Sequence, residues 1–375
     1  MLSGGTGNAP GRKPPSSGYS AHVTARLARG CGRSRRTGGT AAGRGRAGAP
    51  GGRSARGTET YDPAVPRSPL RVVSYNVRYF GHGLRGLAST RASQRRIAER
   101  LAVLEPLSDV VCLQEIETIS LRSRVAFRGR RGETQLEAFM HELEAAFAGD
   151  ARASPYESFY FRAHVNQLRG VPIYTTGLAI LVNRGRLEVD HHNVAAPELI
   201  THHHVERWKD RKQTRICAHM RITAAGRPLH VFNTHLSLPT PFAREFWAER
   251  LRMGWGPNQL HEARTLAAFV HRHAAGEPFL ICGDFNSAPG SPVFRYLTEE
   301  AKFDCAERIC GLCTDVDPRG FPTAGFMRLR MHLDHVFYGN GVHWVDLDGT
   351  TRFGDRRSPF AGLSDHVPLI GRFRV

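Results

Sequence analysis

The chain has no apolar run that approaches the ~18 residues a membrane-spanning helix needs, and its N-terminus lacks the apolar core of a secretory signal. A globular protein that stays in the cytoplasm is the expectation. Acidic residues are scarce: 34 Asp and Glu stand against 52 Lys and Arg, a formal net charge of +18. That balance disfavours basic partners and invites polyanionic ones. Paired zinc-type ligands are also lacking. The seven cysteines are an odd number, and Cys112, Cys217 and Cys282 fall inside apolar runs, where a reduced thiol acts as a small apolar side chain. A reducing compartment fits this usage. Cys310-Gly-Leu-Cys313, with Cys305 nearby, is the one cluster that could bind a metal or form a disulfide, and no second pair or suitably spaced histidine completes a zinc pattern around it. Plain buried or loop thiols are the alternative.

The positive charge is unevenly spread. Residues 1–65 hold eleven Lys and Arg against only Glu59 and Asp62, so half of the excess sits there. This stretch is rich in Gly, Ser, Ala and Pro and has almost no large apolar residue, so it cannot offset its ordering entropy; residues 1–66 are expected to be a disordered basic extension. It could be an arm that touches phosphates, an inert extension, untranslated sequence upstream of the true start, or a transit peptide, although its Gly and Pro argue against the amphipathic helix the last requires. From residue 67 to Val375 the composition is that of one globular domain, with 41% apolar residues in the whole chain.

Within that domain two stretches share a layout. Arg71-Val-Val-Ser-Tyr-Asn76 leads through a helical span to Val110-Val-Cys-Leu-Gln-Glu115, and Leu229-His-Val-Phe-Asn233-Thr-His235 leads through another to Phe279-Leu-Ile-Cys-Gly-Asp284-Phe-Asn286. Short apolar runs of this kind read as buried strands with polar residues at their ends. Ile97, Leu101 and Leu104 recur at helical spacing, as do Leu136, Phe139, Met140, Leu143 and Phe147, and later Leu260, Leu266, Ala267 and Val270. Strands are expected at residues 156–164 and 177–182. Ile216, Ala218, Met220 and Ile222 alternate with polar or small residues, the period of a half-buried strand, before a turn at residues 225–228. The resulting architecture is mixed α/β with two sheets. The aromatics Phe242, Phe246, Trp247 and Trp255 in residues 239–257 read as a mini-core under a loop, or as a substrate platform or membrane-touching surface.

Asn76, Glu115, Asn233, His235, Asp284, Asn286, Asp334, Asp365 and His366 all adjoin buried runs. Taken singly, each has an ordinary structural role as a turn or helix cap or a satisfied core residue. Taken together, four carboxylates at one sheet edge would repel unless cations or hydrogen bonds neutralised them. Oxygen-rich donor sets suit Mg²⁺ or Mn²⁺. Hydrolysis of a phosphate ester needs a metal on the phosphoryl oxygen, a positioned water, donors for developing charge and help for the leaving oxygen, and this set can supply each.

The series Ser-Tyr-Asn76-Val, Leu-Gln-Glu115, Asn233-Thr-His235-Leu, Gly-Asp284-Phe-Asn286-Ser, Leu-Asp334-His-Val-Phe and Ser-Asp365-His366-Val-Pro-Leu resembles the endonuclease/exonuclease/phosphatase superfamily, with all six blocks in order from about residue 70 to the C-terminus. The resemblance implies a four-layer sandwich, two packed mixed β-sheets flanked by helices, with the site at one end. It implies that Glu115 is the principal metal ligand with Asn76 and Asp365 beside it, that Asp284 orients or deprotonates water, that Asn286 bonds the phosphoryl oxygen, and that His366, paired with Asp334, contacts the phosphate. His235 would be a second phosphate contact or the acid for the leaving group.

Branch signals are mixed. His235 is similar to the deoxyribonuclease I, deadenylase and sphingomyelinase branches, Arg78 replaces the acidic residue that many abasic-site endonucleases carry, and the flanks of Glu115 and Asn286 look similar to the deadenylase type. The resulting expectation is a monomeric Mg²⁺-dependent (or Mn²⁺-dependent) phosphodiesterase acting on nucleic acid, as an endonuclease or exonuclease. The alternatives are a lipid phosphodiesterase of sphingomyelinase type, an inositol-phosphate phosphatase and, last, a non-catalytic phosphate-binding module. Arg211, Lys212 and Arg215, or Arg328 and Arg330, could contact phosphates or simply be solvated surface charges.

Overall fold

The computed structural model describes residues 68–81, 90–117, 134–168, 171–201, 214–239, 253–313, 321–326 and 329–375. The basic extension, Arg211, Lys212, Arg328, Phe242, Phe246 and Trp247 lie outside them. In chain order the described elements are β1 (Leu70–Asn76), α1 (Arg91–Ala102), β2 (Val110–Ile116), α2 (Gln135–Gly149), β3 (Tyr156–Leu168), β4 (Val171–Asn183), β5 (Leu187–His192), β6 (Glu198–Leu199), β7 (Ile216–Ala224), β8 (Arg227–His235), α3 (Pro257–Ala274), β9 (Phe279–Asp284), α4 (Pro292–Arg295), β10 (Asp304–Cys305), α5 (Ala306–Ile309), β11 (Ala324–Phe326), β12 (Leu329–Met331), β13 (Asp334–Gly339), β14 (His343–Leu347) and β15 (Leu369–Arg374). Among them no helix is long and apolar enough to cross a membrane.

Each of the two similar stretches forms a βαβ unit. β1 pairs parallel with β2 across α1, and β8 pairs parallel with β9 across α3. Antiparallel neighbours extend each pair into a mixed sheet, six strands ordered β14-β15-β1-β2-β4-β3 and seven strands built on β10-β13-β9-β8-β7-β5, with β6 beside β7. The helices begin where their sequences cap them. Thr90 Oγ1 accepts from Ser93 N at 3.1 Å at the start of α1, Thr134 and Glu137 form a reciprocal capping box on α2, and Pro257 opens α3.

Three buried clusters define the layers. Val72, Val110, Cys112, Ile180 and Val182 of the first sheet meet Met220, Ile222, Leu229, Val231, Leu280, Cys282 and Val336 of the second. The alternate residues Val73, Tyr75, Val111, Leu113 and Leu181 pack on Ile97, Leu101, Phe139, Leu143 and Phe147 of α1 and α2. Phe232, Ile281 and Phe337 pack on Leu266 and Val270 of α3. Strand periodicity of two thus sorts each run into an inter-sheet face and a helix face, giving the four-layer sandwich.

The inter-sheet face is not wholly apolar. Asn233 on β8 is fully buried and donates to Leu113 O at 3.0 Å and Ala179 O at 3.1 Å on the opposite sheet, while Gln114 Nε2 donates to its Oδ1 at 2.8 Å. Asn233 is a strap between the sheets and lies beneath the cleft, not in it. Gly283 permits the close approach of β8 and β9 just before Asp284, since a Cβ there would meet Thr234 O at 2.3 Å. Truncating Asn233 removes three buried hydrogen bonds, each with a net worth of about 1 kcal/mol; Gln114 Nε2 keeps Cys112 O and Ser74 Oγ. Asn233→Ala should therefore lower unfolding free energy by about 2–4 kcal/mol in a urea titration; a loss below about 0.5 kcal/mol would show that the strap carries no such load.

Candidate active site

Continuing the inter-sheet residues one step past the core gives the site. On β1 the series Val72, Ser74 ends at Asn76; on β8, Val231, Asn233 ends at His235; on β9, Leu280, Cys282 ends at Asp284; on β13, Tyr338, Val336 ends at Asp334. The register aligns these ends, with His235 and Asp334 both opposite Asp284. Glu115 does not fit the alternation, which would turn it towards the helices. A register shift between Gln114 and Ile116 and a left-handed backbone at Glu115, φ 58°, re-aim it into the cleft. A bulge with a non-glycine residue in this region costs on the order of 1–3 kcal/mol and persists where surrounding structure over-determines it. Asn286 is likewise left-handed, φ 47°, a conformation asparagine tolerates better.

The side chains form one hydrogen-bonded group. Asn76 Nδ2 reaches Glu115 Oε1 at 3.2 Å and Asp284 Oδ2 at 3.0 Å. Asp284 Oδ1 accepts from the backbone N–H of Asn286 at 2.9 Å. Both amide hydrogens of Asn286 are used, one on Leu236 O at 2.9 Å and one on His235 Nε2 at 3.1 Å, so His235 Nε2 is an acceptor and its proton sits on Nδ1. His366 Nδ1 lies 2.8 Å from Asp334 Oδ2, and its Nε2 is 3.6 Å from Asp284 Oδ2. The C-terminal loop that carries His366 is tied down by Ser364 Oγ donating to Asn76 O at 2.8 Å and by Val367 N donating to Thr323 O at 2.8 Å.

The electrostatics follow from burial and neighbours. Desolvation, with Asp334 adding to it against the opposing His366, pushes the Asp284 carboxyl up to about 7. Burial works against charge on His366, yet Asp334 and Asp284 together raise it to about 10. His235 goes the other way, well below its ordinary value, because burial, Arg215 and His366 all oppose a second positive charge. Burial and the neighbouring Asp365 raise Glu115. Two histidines in one cleft are thus held in opposite charge states.

Asp365 makes an ion pair with Arg78, Nη1 to Oδ2 at 2.8 Å. Arg215 is buried, with its backbone N–H donating to Thr201 Oγ1, and it lies within electrostatic reach of Glu115 and His235. A small recess beside it is lined by Ala163, Thr176, Gly177, Thr214 and His235. The Arg330 guanidinium stacks over Phe353 at 5.0 Å. Sequence reasoning had not marked Thr323, whose Oγ1 accepts from the backbone N–H of both Leu333 and Asp334, at 3.0 and 3.1 Å; a lone buried threonine far from the motif blocks carries no signal.

The donor set suits a hard divalent cation. Glu115, Asp365 and Asn76 offer oxygens as ligands, and buried Asp334 Oδ1 has no hydrogen-bond partner among the described residues. Asp284, Asp334 and His366 also place one ligand atom each within 4.8 Å of one another. Negative oxygen is therefore present beyond what the donors among the described residues satisfy.

This sandwich, with its polar strand ends at one edge, is the fold of a phosphoesterase class, and residues 73–366 match the model of the Endonuclease/Exonuclease/phosphatase family. The chain belongs to that family and is a hydrolase of phosphate esters, a family whose enzymes generally use divalent metal ions. Similar solved structures include the human Nocturnin catalytic domain, 18% identical over 82% of this chain and 93% of that one with a TM-score of 0.52. A family protein from Leptotrichia buccalis is 14% identical over 82% and 100%, TM-score 0.56, and a mannosyl-6-phosphatase from Bacteroides thetaiotaomicron is 15% identical over 82% and 100%, TM-score 0.51. A comparison with curated proteins found no match.

Because Asp284 is buried beside Asp334, neutralising it relieves a desolvated charge. Asp284→Asn should abolish turnover while leaving the melting temperature unchanged or raised; a collapsed circular-dichroism melt would assign Asp284 to the fold instead.

Proposed function

We propose that this chain is a Mg²⁺-dependent phosphodiesterase of nucleic acid. The observation that carries the reading is the placement of His235 Nε2 and His366 Nε2 at 3.5 and 3.6 Å from the same Asp284 oxygen, with His366 Nδ1 held by Asp334 at 2.8 Å. A carboxylate so placed accepts a proton from an attacking water that it also orients. The Nε2–H of His366, fixed by Asp334, then meets an oxygen of the phosphoryl group. Asn286 exchanges its bond to His235 for a second phosphoryl oxygen, and Arg215 adds positive charge beside it.

Glu115 and Asn76 would hold the metal ion, with Asp365 completing the group, and bound there the ion supplies Lewis-acid polarisation of the phosphoryl oxygen. His235, whose Nε2 carries no proton, orients the substrate and Asn286; geometry favours that over a role as leaving-group acid.

Nucleic acid is favoured because residues 66–375 carry nine more basic than acidic residues in sequence, and Arg215 stands in the cleft itself. The similar structures include a 2′,3′-cyclic phosphatase and a mannosyl-6-phosphatase, so the fold leaves the leaving group open. The test is a panel of nicked plasmid, poly(A), sphingomyelin and an inositol phosphate, each with Mg²⁺. Cleavage of a nucleic acid that falls steeply between about 50 and 200 mM salt is expected. Turnover confined to the lipid or the inositol phosphate would overturn the substrate class.

Glu115→Ala should lose on the order of 100-fold in rate and recover part of it in excess Mg²⁺, because a missing ligand first weakens metal affinity. Full activity of that variant in chelator would sink the metal assignment.

A further inference from the structure

β13 carries the cleft on one face and a second group of ligand-bearing side chains on the other. Asp334 points between the sheets, so His335 points towards the helix side, where it meets Glu307 of α5, Cys305 of β10, Cys313 and His332. Glu307 and His335 are fully buried, and His332, Cys313 and Cys305 are 1%, 2% and 3% exposed. Glu307 Oε1 lies 2.9 Å from His335 Nδ1 and 3.4 Å from His332 Nε2, and its Oε2 lies 3.6 Å from Cys305 Sγ. The Cys313 side chain lies within interaction range of that of Cys305. One ligand atom each of Cys305, Glu307 and His335 falls within 4.8 Å of the others.

Two thiols, an imidazole nitrogen and a carboxylate make a zinc ligand set; bonds of about 2.0–2.3 Å in a tetrahedron put neighbouring ligand atoms about 3.3–3.8 Å apart, so the three atoms gathered here would draw in slightly and the Cys313 thiol would close the set from beside Cys305. The far side of His335 is also arranged for it: Nε2 lies 2.8 Å from Ser287 O, so Nε2–H donates to a backbone carbonyl and Nδ1 is the atom turned to the cluster. A ligating histidine is oriented in this way by its second nitrogen. The soft sulfur donors distinguish this group from the all-oxygen set at the cleft.

We propose that Cys305, Cys313, His335 Nδ1 and Glu307 hold a zinc ion, with His332 hydrogen-bonded to the Glu307 carboxylate. As the ion enters, both thiols and His335 Nδ1 release their protons to solvent, and no oxidant or reductant is needed. The site is structural, with four protein ligands and no open position. It braces the cleft from behind, because His335 follows Asp334 in the chain and clamps Ser287, which follows Asn286. The inference does not rest on the substrate reading above.

The full chain, purified without chelator, should carry about one zinc per molecule that survives a dialysis sufficient to strip Mg²⁺. X-ray absorption should show zinc with about two sulfur neighbours at about 2.3 Å. Cobalt exchanged for zinc should give a thiolate-to-cobalt charge-transfer band that is lost in Cys305→Ser and Cys313→Ser and kept in Cys310→Ser, whose side chain lies outside the cluster. A zinc shell without sulfur, an unchanged zinc content in the doubly substituted chain, or a Cys305–Cys313 disulfide in the purified protein would overturn the proposal. The absorption measurement on the unaltered chain decides the matter should the double variant fail to fold.

Discussion

Negative charge gathered into a closed space is the constraint on which the cleft depends. Asp284, Asp334, Glu115 and Asp365 come together at one edge, and each needs a partner that only tertiary structure supplies. Asp334 has His366 at 2.8 Å, Asp365 has Arg78 at 2.8 Å, and Asp284 has Asn76, the Asn286 amide and His366. Leaving one such group unpartnered would cost more than the net gain of a typical contact. Since His366 lies 32 residues from Asp334 and Asn76 lies 208 residues from Asp284, the charges balance only once both sheets and the C-terminal loop are in place. The site is therefore a late product of the fold and not of any one motif.

What makes the balance possible is the sandwich itself. Both βαβ units deliver their polar ends to the same edge because a period-two strand that buries Val, Ile, Leu and Cys on one face keeps pointing the same way one residue further on. Asn233 and Gln114 hold the two edges together just below, where apolar contacts alone would leave the separation of Asn76 and Asp284 less well fixed. The strained backbone at Glu115 is the one departure from this geometry. Its cost is borne because the unbulged strand would put a carboxylate among Phe139 and Leu143 of α2, where no cation could reach it.

Much of this was legible in the sequence, for reasons that differ by residue. The βαβ layout could be read from apolar runs and helical spacing, and the strand-end positions of Asn76, His235, Asp284 and Asp334 followed from it. Other features had no local signal. β3 and β4 extend through Leu168 and from Val171, well past the apolar runs at 156–164 and 177–182, because a hairpin arm is held by backbone pairing that polar residues also make. β5 has only Leu187 buried and only Val189 half-buried, so its alternation is faint. Asn233 has the same apparent standing in sequence as Asn76, and only the facing sheet shows that it is a strap. The Cys305 and Cys313 pair lacked a visible histidine partner because His335 lies on β13 and His332 just before it, beyond β11 and β12 and outside any zinc-like spacing.

The ion pair between Arg78 and Asp365 bears on how the charge is shared. Many abasic-site endonucleases carry an acidic residue two positions after the strand-end asparagine, and this chain has a guanidinium there. Both partners are partly exposed, 24% and 22%, so the pair contributes little to stability; its effect is on the cleft. A fixed positive charge beside Asp365 offsets part of the negative charge of the proposed metal group and disfavours a second hard cation at this edge. In the proposed mechanism, positive charge at this edge comes from one metal group around Glu115, Asn76 and Asp365, from His366 and from Arg215. Developing charge on a phosphoryl group would be met by that ion and two side-chain cations, an arrangement for a single-metal reaction in which His366 and Arg215 do the work that a second ion would otherwise perform.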